Sequence, residues 1–357
     1  MNPWKIFRSP RESAPQRFVF VVVLFFILLN MACRHGSGGT GEYVYVSVPQ
    51  ANLRDRVAAV YNKLGTVKSG ERLEVLEKQK RFLRVRTDRK EEGWLEQRFV
   101  ITEDVFKAFQ KLDNESKTLP SQGRGVTRAQ LNMHISPSRD ADALYQLAES
   151  EKVDVLKRAT AERPQKTAPV PTSKSKRKEP PPEPVKSYDD WWLVKSQGGH
   201  YGWVLSRMVD LDIPMDIAVY AEGQRIQGAY VLNEVQDGDK KAPQYLVVLS
   251  EPKDGMPYDY NQARVFTWNT RKHRYETAYR ERNFLGHFPV KVGTENFDKE
   301  GVLPMFVLRV QSENGQIIDR KYKLNNTTVR RVAGAGEDKA AVLTKEPKKP
   351  GGKRRKP

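Results

Sequence analysis

Large apolar and charged residues alternate along Arg72-Leu73-Glu74-Val75-Leu76 and again along Phe82-Leu83-Arg84-Val85-Arg86. A period of two marks strands with one buried and one wet face. Lys78-Gln79-Lys80-Arg81 between them predicts a turn. Gly93-Trp94-Leu95 follows the polar loop Thr87 to Glu92, and Glu96-Gln97-Arg98-Phe99-Val100 leaves room for one tight turn and a closing strand. Several short strands in so few residues predict a small closed barrel, which protects its edges.

The same pattern occurs twice. Gly93-Trp94-Leu95-Glu96-Gln97-Arg98-Phe99-Val100 reappears as Gly202-Trp203-Val204-Leu205-Ser206-Arg207-Met208-Val209, and Phe82 to Arg86 lies under Trp191-Trp192-Leu193-Val194-Lys195, each block eleven positions before its Gly-Trp. Leu73 to Leu76 matches Val153 to Leu156, and Asn52-Leu53 matches Asn132-Met133, both at an offset of eighty. The register breaks once, between about Ala159 and Asp190. A repeat fixes the unit of folding, here a module of about 60 residues whose second copy carries an insertion.

Asn52-Leu53-Arg54-Asp55, a Gly70-Glu71 turn, Leu73-Glu74-Val75-Leu76 and Gly93-Trp94-Leu95 together resemble the bacterial SH3 domain, or SH3b module. The resemblance spans Tyr43 to Thr102 and, more weakly, Thr127 to Asp212. It implies a binding module for peptidoglycan or peptide-like envelope ligands, without chemistry of its own. The second copy departs from the motif, with Met133-His134-Ile135 where the first has Leu53-Arg54-Asp55. The copy with the intact motif is therefore expected to keep the groove, with Tyr43, Tyr45, Asn52, Arg54 and Trp94 as candidate contacts, and the second copy to serve as a spacer. Both Gly-Trp indoles are expected to pack at least partly on their barrels.

The N-terminus suggests a compartment. Lys5, Arg8, Arg11 and Arg17 precede an apolar run from Phe18 to Leu29, a basic region followed by a core of signal-peptide length. Those twelve residues would rise only about 18 Å as a helix, short of a bilayer span. The run ends at Asn30-Met31-Ala32-Cys33, and Cys33 is the chain's one cysteine. A small residue before a lone Cys resembles a lipobox, in which the Cys is acylated, although Asn30 stands where that motif usually has Leu. An ordinary signal peptide cut nearby and an uncleaved anchor with a free thiol remain open alternatives. With Cys33 consumed no disulfide can form, so the exported domains rely on their cores.

The chain thus divides into a signal segment with the lipidation candidate (1–33), a flexible tether (34–42), the first module (43–101), a linker (102–126), the second module (127–212) with a Pro- and Lys-rich disordered insertion at 160–188, an all-β unit of unrecognised family (214–333) and a basic tail (334–357). In the linker, Thr102 to Leu112 reads as one short helix capped by Thr102, with Val105, Phe109 and Leu112 on one face, packed on the first barrel. The C-terminal unit predicts strands at Asp216–Ala221, Gln227–Asn233, Tyr245–Ser250, Arg264–Asn269, Arg274–Arg280, Phe288–Val292, Met305–Val310, Ile317–Leu324 and Thr328–Val332, separated by turn signals such as Asp254-Gly255 and Asn314-Gly315. The fold class is mainly β: two tandem SH3-like barrels and a C-terminal all-β sandwich or curled sheet, with one linker helix. The aromatics Tyr258, Tyr260, Phe266, Trp268, Tyr275, Tyr279, Phe284 and Phe288 fit a core at strand spacing.

The 62 Lys plus Arg against 44 Asp plus Glu give a formal net charge of +18, concentrated in the signal, in Lys174 to Lys178 and in the tail. For an exported protein this charge suits either general attraction to anionic envelope surfaces or a solvated tail with no partner, and no specific nucleic acid is expected. The single Cys removes a cysteine peptidase, and His35, His134, His200, His273 and His287 stand too far apart in sequence to suggest a zinc site. Ser173-Lys174-Ser175-Lys176 has a penicillin-binding spacing but falls in the insertion. No cofactor or metal is expected. The sequence reads as an envelope-anchored, noncatalytic protein, held to a membrane at its N-terminus and binding peptidoglycan or an envelope protein. A structural or assembly subunit of an envelope complex is the alternative, and a cell-wall hydrolase with an unrecognised C-terminal site is a third reading.

Overall fold

A computed structural model of the chain describes residues 41–57, 62–164 and 186–333. Residues 1–40, on which the expected signal segment, Cys33 and tether fall, together with 58–61, 165–185 of the insertion and 334–357, lie outside the described residues.

The chain is mainly β. Seven strands form the first sheet: β1 (Tyr43–Val46), β2 (Gln50–Arg54), β3 (Lys63–Lys68), β4 (Arg72–Gln79), β5 (Phe82–Thr87), β6 (Glu92–Glu96) and β7 (Val100–Thr102). After helix α1 (Glu103–Ser116), seven more form the second: β8 (Gly123–Thr127), β9 (Leu131–His134), β10 (Ala143–Leu147), β11 (Lys152–Glu162), β12 (Tyr188–Ser196), β13 (Tyr201–Leu205) and β14 (Val209–Leu211). The two share one topology, β3-β2-β6-β5-β4-β1-β7 and β10-β9-β13-β12-β11-β8-β14.

The repeat extends to register. Val75 lies opposite Val85 as Val155 lies opposite Val194, and both hairpins bulge immediately after that pair, at Leu76 and Leu156. Arg54 faces Trp94 as His134 faces Trp203. The glycine before each tryptophan has a steric reason: a Cβ on Gly93 would lie 2.8 Å from the Leu53 Cβ, and one on Gly202 would lie 2.6 Å from the Met133 Cβ. The insertion sits between two paired strands, with Glu162 opposite Tyr188.

The described residues fall into two compact units, one of 41–44, 51–67 and 71–99, the other of 45–50, 68–70 and 100–333. The first is cored by the inward residues of its alternating strands, Leu53, Val67, Leu73, Val75, Leu83, Val85 and Leu95, all nearly inaccessible. In the second, one apolar cluster runs from the barrel residues Met133, Val155, Trp192 and Val194 into Tyr230, Leu246, Tyr260, Phe288 and Phe306 of the C-terminal sheet. Burying such aromatics removes large apolar areas from water, the main favourable term in folding.

That third sheet is a meander in sequence order: β15 (Arg225–Asp237), β16 (Lys240–Ser250), β17 (Tyr260–Asn269), β18 (Arg274–Asn296), β19 (Val302–Gln311), β20 (Ile317–Asn325) and β21 (Thr328–Val332). Two expectations are corrected. Asp216–Ala221 is not a strand: α2 (Met215–Ala218) and a following 3-10 turn place Ile217 in a small core with Tyr245, Val247 and Phe266. Arg274–Arg280 and Phe288–Val292 are one strand, β18, which leaves β17 as partner near Gly286 and carries on against β19, with ladder irregularities on the way.

A further difference concerns α1. Its Thr102 cap is as expected, the hydroxyl accepting from the Val105 N–H. Its apolar side packs on the first barrel as expected, but on the second as well: Phe109, 1% exposed, clusters with Ile101 of β7 and Leu144 of β10, Phe106 stacks on Tyr45 of β1, and Leu112 joins Leu156, Trp191, Leu193, Tyr201 and Trp203. The cause lies in β12, whose Trp191-Trp192-Leu193-Val194 is apolar on both faces and so demands a second cover.

Candidate functional site

In the first module, alternation along β6 turns Gly93 and Leu95 inward and Trp94 outward, where the indole is only partly buried. Its ladder partners are Arg54 on β2 and Arg84 on β5, so an aromatic ring stands between two arginines in one cross-strand row. Asn52, two residues before Arg54, is exposed on the same side of β2. The next row is an ion-paired strap. Arg86 donates to Glu92 at 2.8 Å and to Glu74 at 3.1 Å, and Arg84 reaches Glu92 at 3.0 Å. The Arg86 hydrogen bond, helped by both arginine charges, holds the Glu92 carboxyl below its usual range and raises Arg86 in turn. Neighbouring side chains on a pleated surface hold one another in this way.

The five sequence candidates therefore separate. Asn52, Arg54 and Trp94 come together. Tyr43 lies on β1, which β5 and β4 separate from β6, and its ring is covered by the Arg72 guanidinium at 3.6 Å. Tyr45 is stacked on Phe106 of α1 at 3.7 Å with the planes 3° apart, so one of its faces is taken. Arg84, Arg86 and Glu92 were missed as candidates, though the alternation of Phe82 to Arg86 already placed both arginines on the wet face.

The equivalent face of the second barrel has different chemistry. Where the first carries Phe82, Arg84, Glu92, Trp94 and Glu96, the second carries Trp191, Leu193, Tyr201, Trp203 and Leu205. Trp203 is 8% exposed and Trp191 1%, beneath a cover that includes Leu112 of α1. Asp113 accepts from the Tyr201 N–H at 2.9 Å, and Tyr145, edge-on to Phe109, stacks on His200 at 3.7 Å. Helix α1 thus occupies in the second copy the face that the first copy presents with arginines.

The adjacent carboxylates Asp189 and Asp190 point to opposite sides of β12. Asp190 and Arg158, both almost wholly buried, pair at 2.8 Å, while Arg158 also donates to the Tyr258 carbonyl of the C-terminal unit. A polar cavity of about 370 Å³ on the C-terminal sheet includes Glu222 and Glu251. Both carboxylates are engaged, Glu222 with Arg264 and Arg280, and Glu251 with Tyr258 and Asn261, and both are held below the usual range. Among the described residues no group of three or more His, Cys, Asp and Glu side chains is placed to hold a metal ion, and no helix is long and apolar enough to cross a membrane.

Residues 49–101 match the bacterial SH3 domain family, and this segment of the chain is a bacterial SH3 domain. No curated protein matches the chain. Among solved structures, an NlpC/P60 family protein from Bacillus cereus is 13% identical with a TM-score of 0.21, over 51% of this chain and 62% of that one. NlpC2 from Trichomonas vaginalis is 8% identical with a TM-score of 0.17, over 80% and 99%, and NlpC1 from the same organism 9% identical, also at 0.17, over 68% and 89%. The chain thus spans about three fifths of the Bacillus protein's length. At these TM-scores no shared overall fold follows.

Proposed function

We propose that the chain is an envelope-anchored, noncatalytic binding protein whose first SH3 barrel engages peptidoglycan or a peptide-like wall ligand through Asn52, Arg54 and Trp94, with Arg84 beside them. Cys33 is its proposed membrane attachment, through an acyl chain, and the envelope its proposed compartment. The observation that carries the reading is the contrast between copies. On the same strands, the first barrel offers an accessible aromatic between two arginines, while the second presents an apolar face beneath its own helix. Aromatic and arginine side chains in one patch are the residue types that dominate binding energy at interfaces. The strap Glu74–Arg86–Glu92 stiffens the neighbouring row, which lowers the ordering cost of binding. Co-sedimentation with purified sacculi tests the reading. The full chain should pellet with them, and Arg54→Ala should reduce the pelleted fraction at a temperature where the variant is still folded. Retention unaffected by both Arg54→Ala and Trp94→Ala would contradict it.

A further inference from the structure

Three arginines from separate parts of the second barrel converge on one carboxylate. Asp189, 2% exposed, accepts from Arg139 in the β9–β10 loop (Nε to Oδ2 2.6 Å, Nη2 to Oδ1 3.0 Å), from Arg163 just beyond β11 (Nη2 to Oδ1 2.8 Å) and from Arg207 in the turn before β14 (Nη1 to Oδ1 3.1 Å). A single oxygen accepts from all three cations, so no two of those nitrogens lie more than about 6 Å apart, close enough for like charges to repel. Asp189 is the only acidic partner that any of the three has among the described residues. One carboxylate thus balances one of three positive charges, and a surplus of two remains.

The arginine side chains are 37%, 41% and 48% exposed, so their outer edges reach solvent. Among the described residues, Arg139 Nη1, Arg163 Nη1, and Arg207 Nε and Nη2 make no hydrogen bond. The buried aspartate consumes the inward donors and fixes the three planar forks, and the outward donors are left free. In the first module Lys80 stands where the second has Asp189, and the counterpart of Arg207, Arg98, bonds Glu96 instead, so the first barrel lacks this arrangement.

We propose that Arg139, Arg163 and Arg207, organised by Asp189, form a binding site for a phosphoryl group. A phosphoryl group carries up to two negative charges and three acceptor oxygens, which matches a surplus of two charges and three forks. Arginine's planar fork suits such bidentate recognition better than an ammonium does. The group can come from a lipid whose headgroup is a phosphate monoester or from a soluble phosphate monoester, which share this chemistry. The inference does not rest on the first-barrel reading, since it concerns another module, other residues and another ligand.

The test is a titration of the full chain with inorganic phosphate at pH 8, followed by the Nε–Hε resonances of the three arginines. Saturable shifts at all three are expected, and Arg139→Gln and Arg207→Gln should each weaken binding about tenfold. Their melting temperatures should stay near wild type, because Asp189 keeps two partners. Arg139→Lys should restore little, since it returns the charge without the fork. Absence of a saturable shift, an equal response to acetate, or full activity of Arg139→Lys would each overturn the proposal. Binding to phosphatidic acid vesicles or to soluble glycerol 3-phosphate, lost in Arg207→Gln, would support it and identify the source.

Discussion

Trp94 and Trp203 occupy equivalent positions with different surroundings. Trp94 is partly buried on an arginine-lined face, and Trp203 is 8% exposed in a cluster shared with α1. Removing a large aromatic from a core costs about 3–5 kcal/mol. Trp203→Ala should cost that much by denaturant melts of the full chain, and Trp94→Ala clearly less. Equal losses would show that the two faces are not packed as described. Asp189 supplies a pH test. Burial pushes its carboxyl up, but hydrogen bonds from Arg139 and Arg163 and the charges of both outweigh this and hold it well below the usual range. A depressed folded pKa means that the stabilisation is complete above the unfolded value of about 3.9 and is lost as pH falls through the folded one. Asp189→Asn should therefore be less stable than wild type at pH 7, by about 1–3 kcal/mol for lost charge-assisted hydrogen bonds. The gap should begin to narrow as pH falls below about 4 and go on narrowing in stronger acid, and a gap independent of pH would count against the ion cluster.

At the scale of elements, the alternation of Leu73 to Leu76 and of Phe82 to Arg86, together with the Gly-Trp repeat, made both barrels legible, because a period of two states which residues face inward. Helical spacing and the Thr102 cap likewise made α1 legible, but not its second partner. Val105, Phe109 and Leu112 define an apolar helix face but name no partner for it. The missing clue was in β12, where Trp191-Trp192-Leu193-Val194 buries both faces of a strand, something a two-faced barrel hairpin does not require on its own. Of the five candidate contacts, Asn52, Arg54 and Trp94 lie together on β2 and β6 while Tyr43 and Tyr45 lie apart on β1, a separation hidden in the sequence because it carries no strand order. Likewise Asp216–Ala221 is a short, nearly continuous apolar run, which periodicity alone cannot assign to strand or helix, and α2 there buries Ile217. If α1 is the fixed cover of the second barrel, Phe109→Ala should destabilise by about 3–5 kcal/mol and raise hydrogen exchange along β13. A neutral melting temperature would make α1 a loosely held linker.

Over the whole molecule, the second barrel and the C-terminal sheet share one core. They are also tied by Arg158, which bonds Asp190 on one side and the Tyr258 carbonyl on the other. A buried pair of this kind is weak evidence for stability but specifies which surfaces meet. That leaves the first barrel, most of whose strands form the other compact unit, as the module with a partly exposed Trp94 in an arginine-flanked row. The account's central claim is that ligand binding resides on that face and not on its covered counterpart. Its most direct test is an amide-resolved titration of the full chain with soluble muropeptides. The account predicts saturable shifts at residues 52–54, 84 and 92–94, abolished in Arg54→Ala, with residues 191–193 and 201–205 unmoved; shifts at 191–205 with 52–54 and 92–94 unmoved would contradict it.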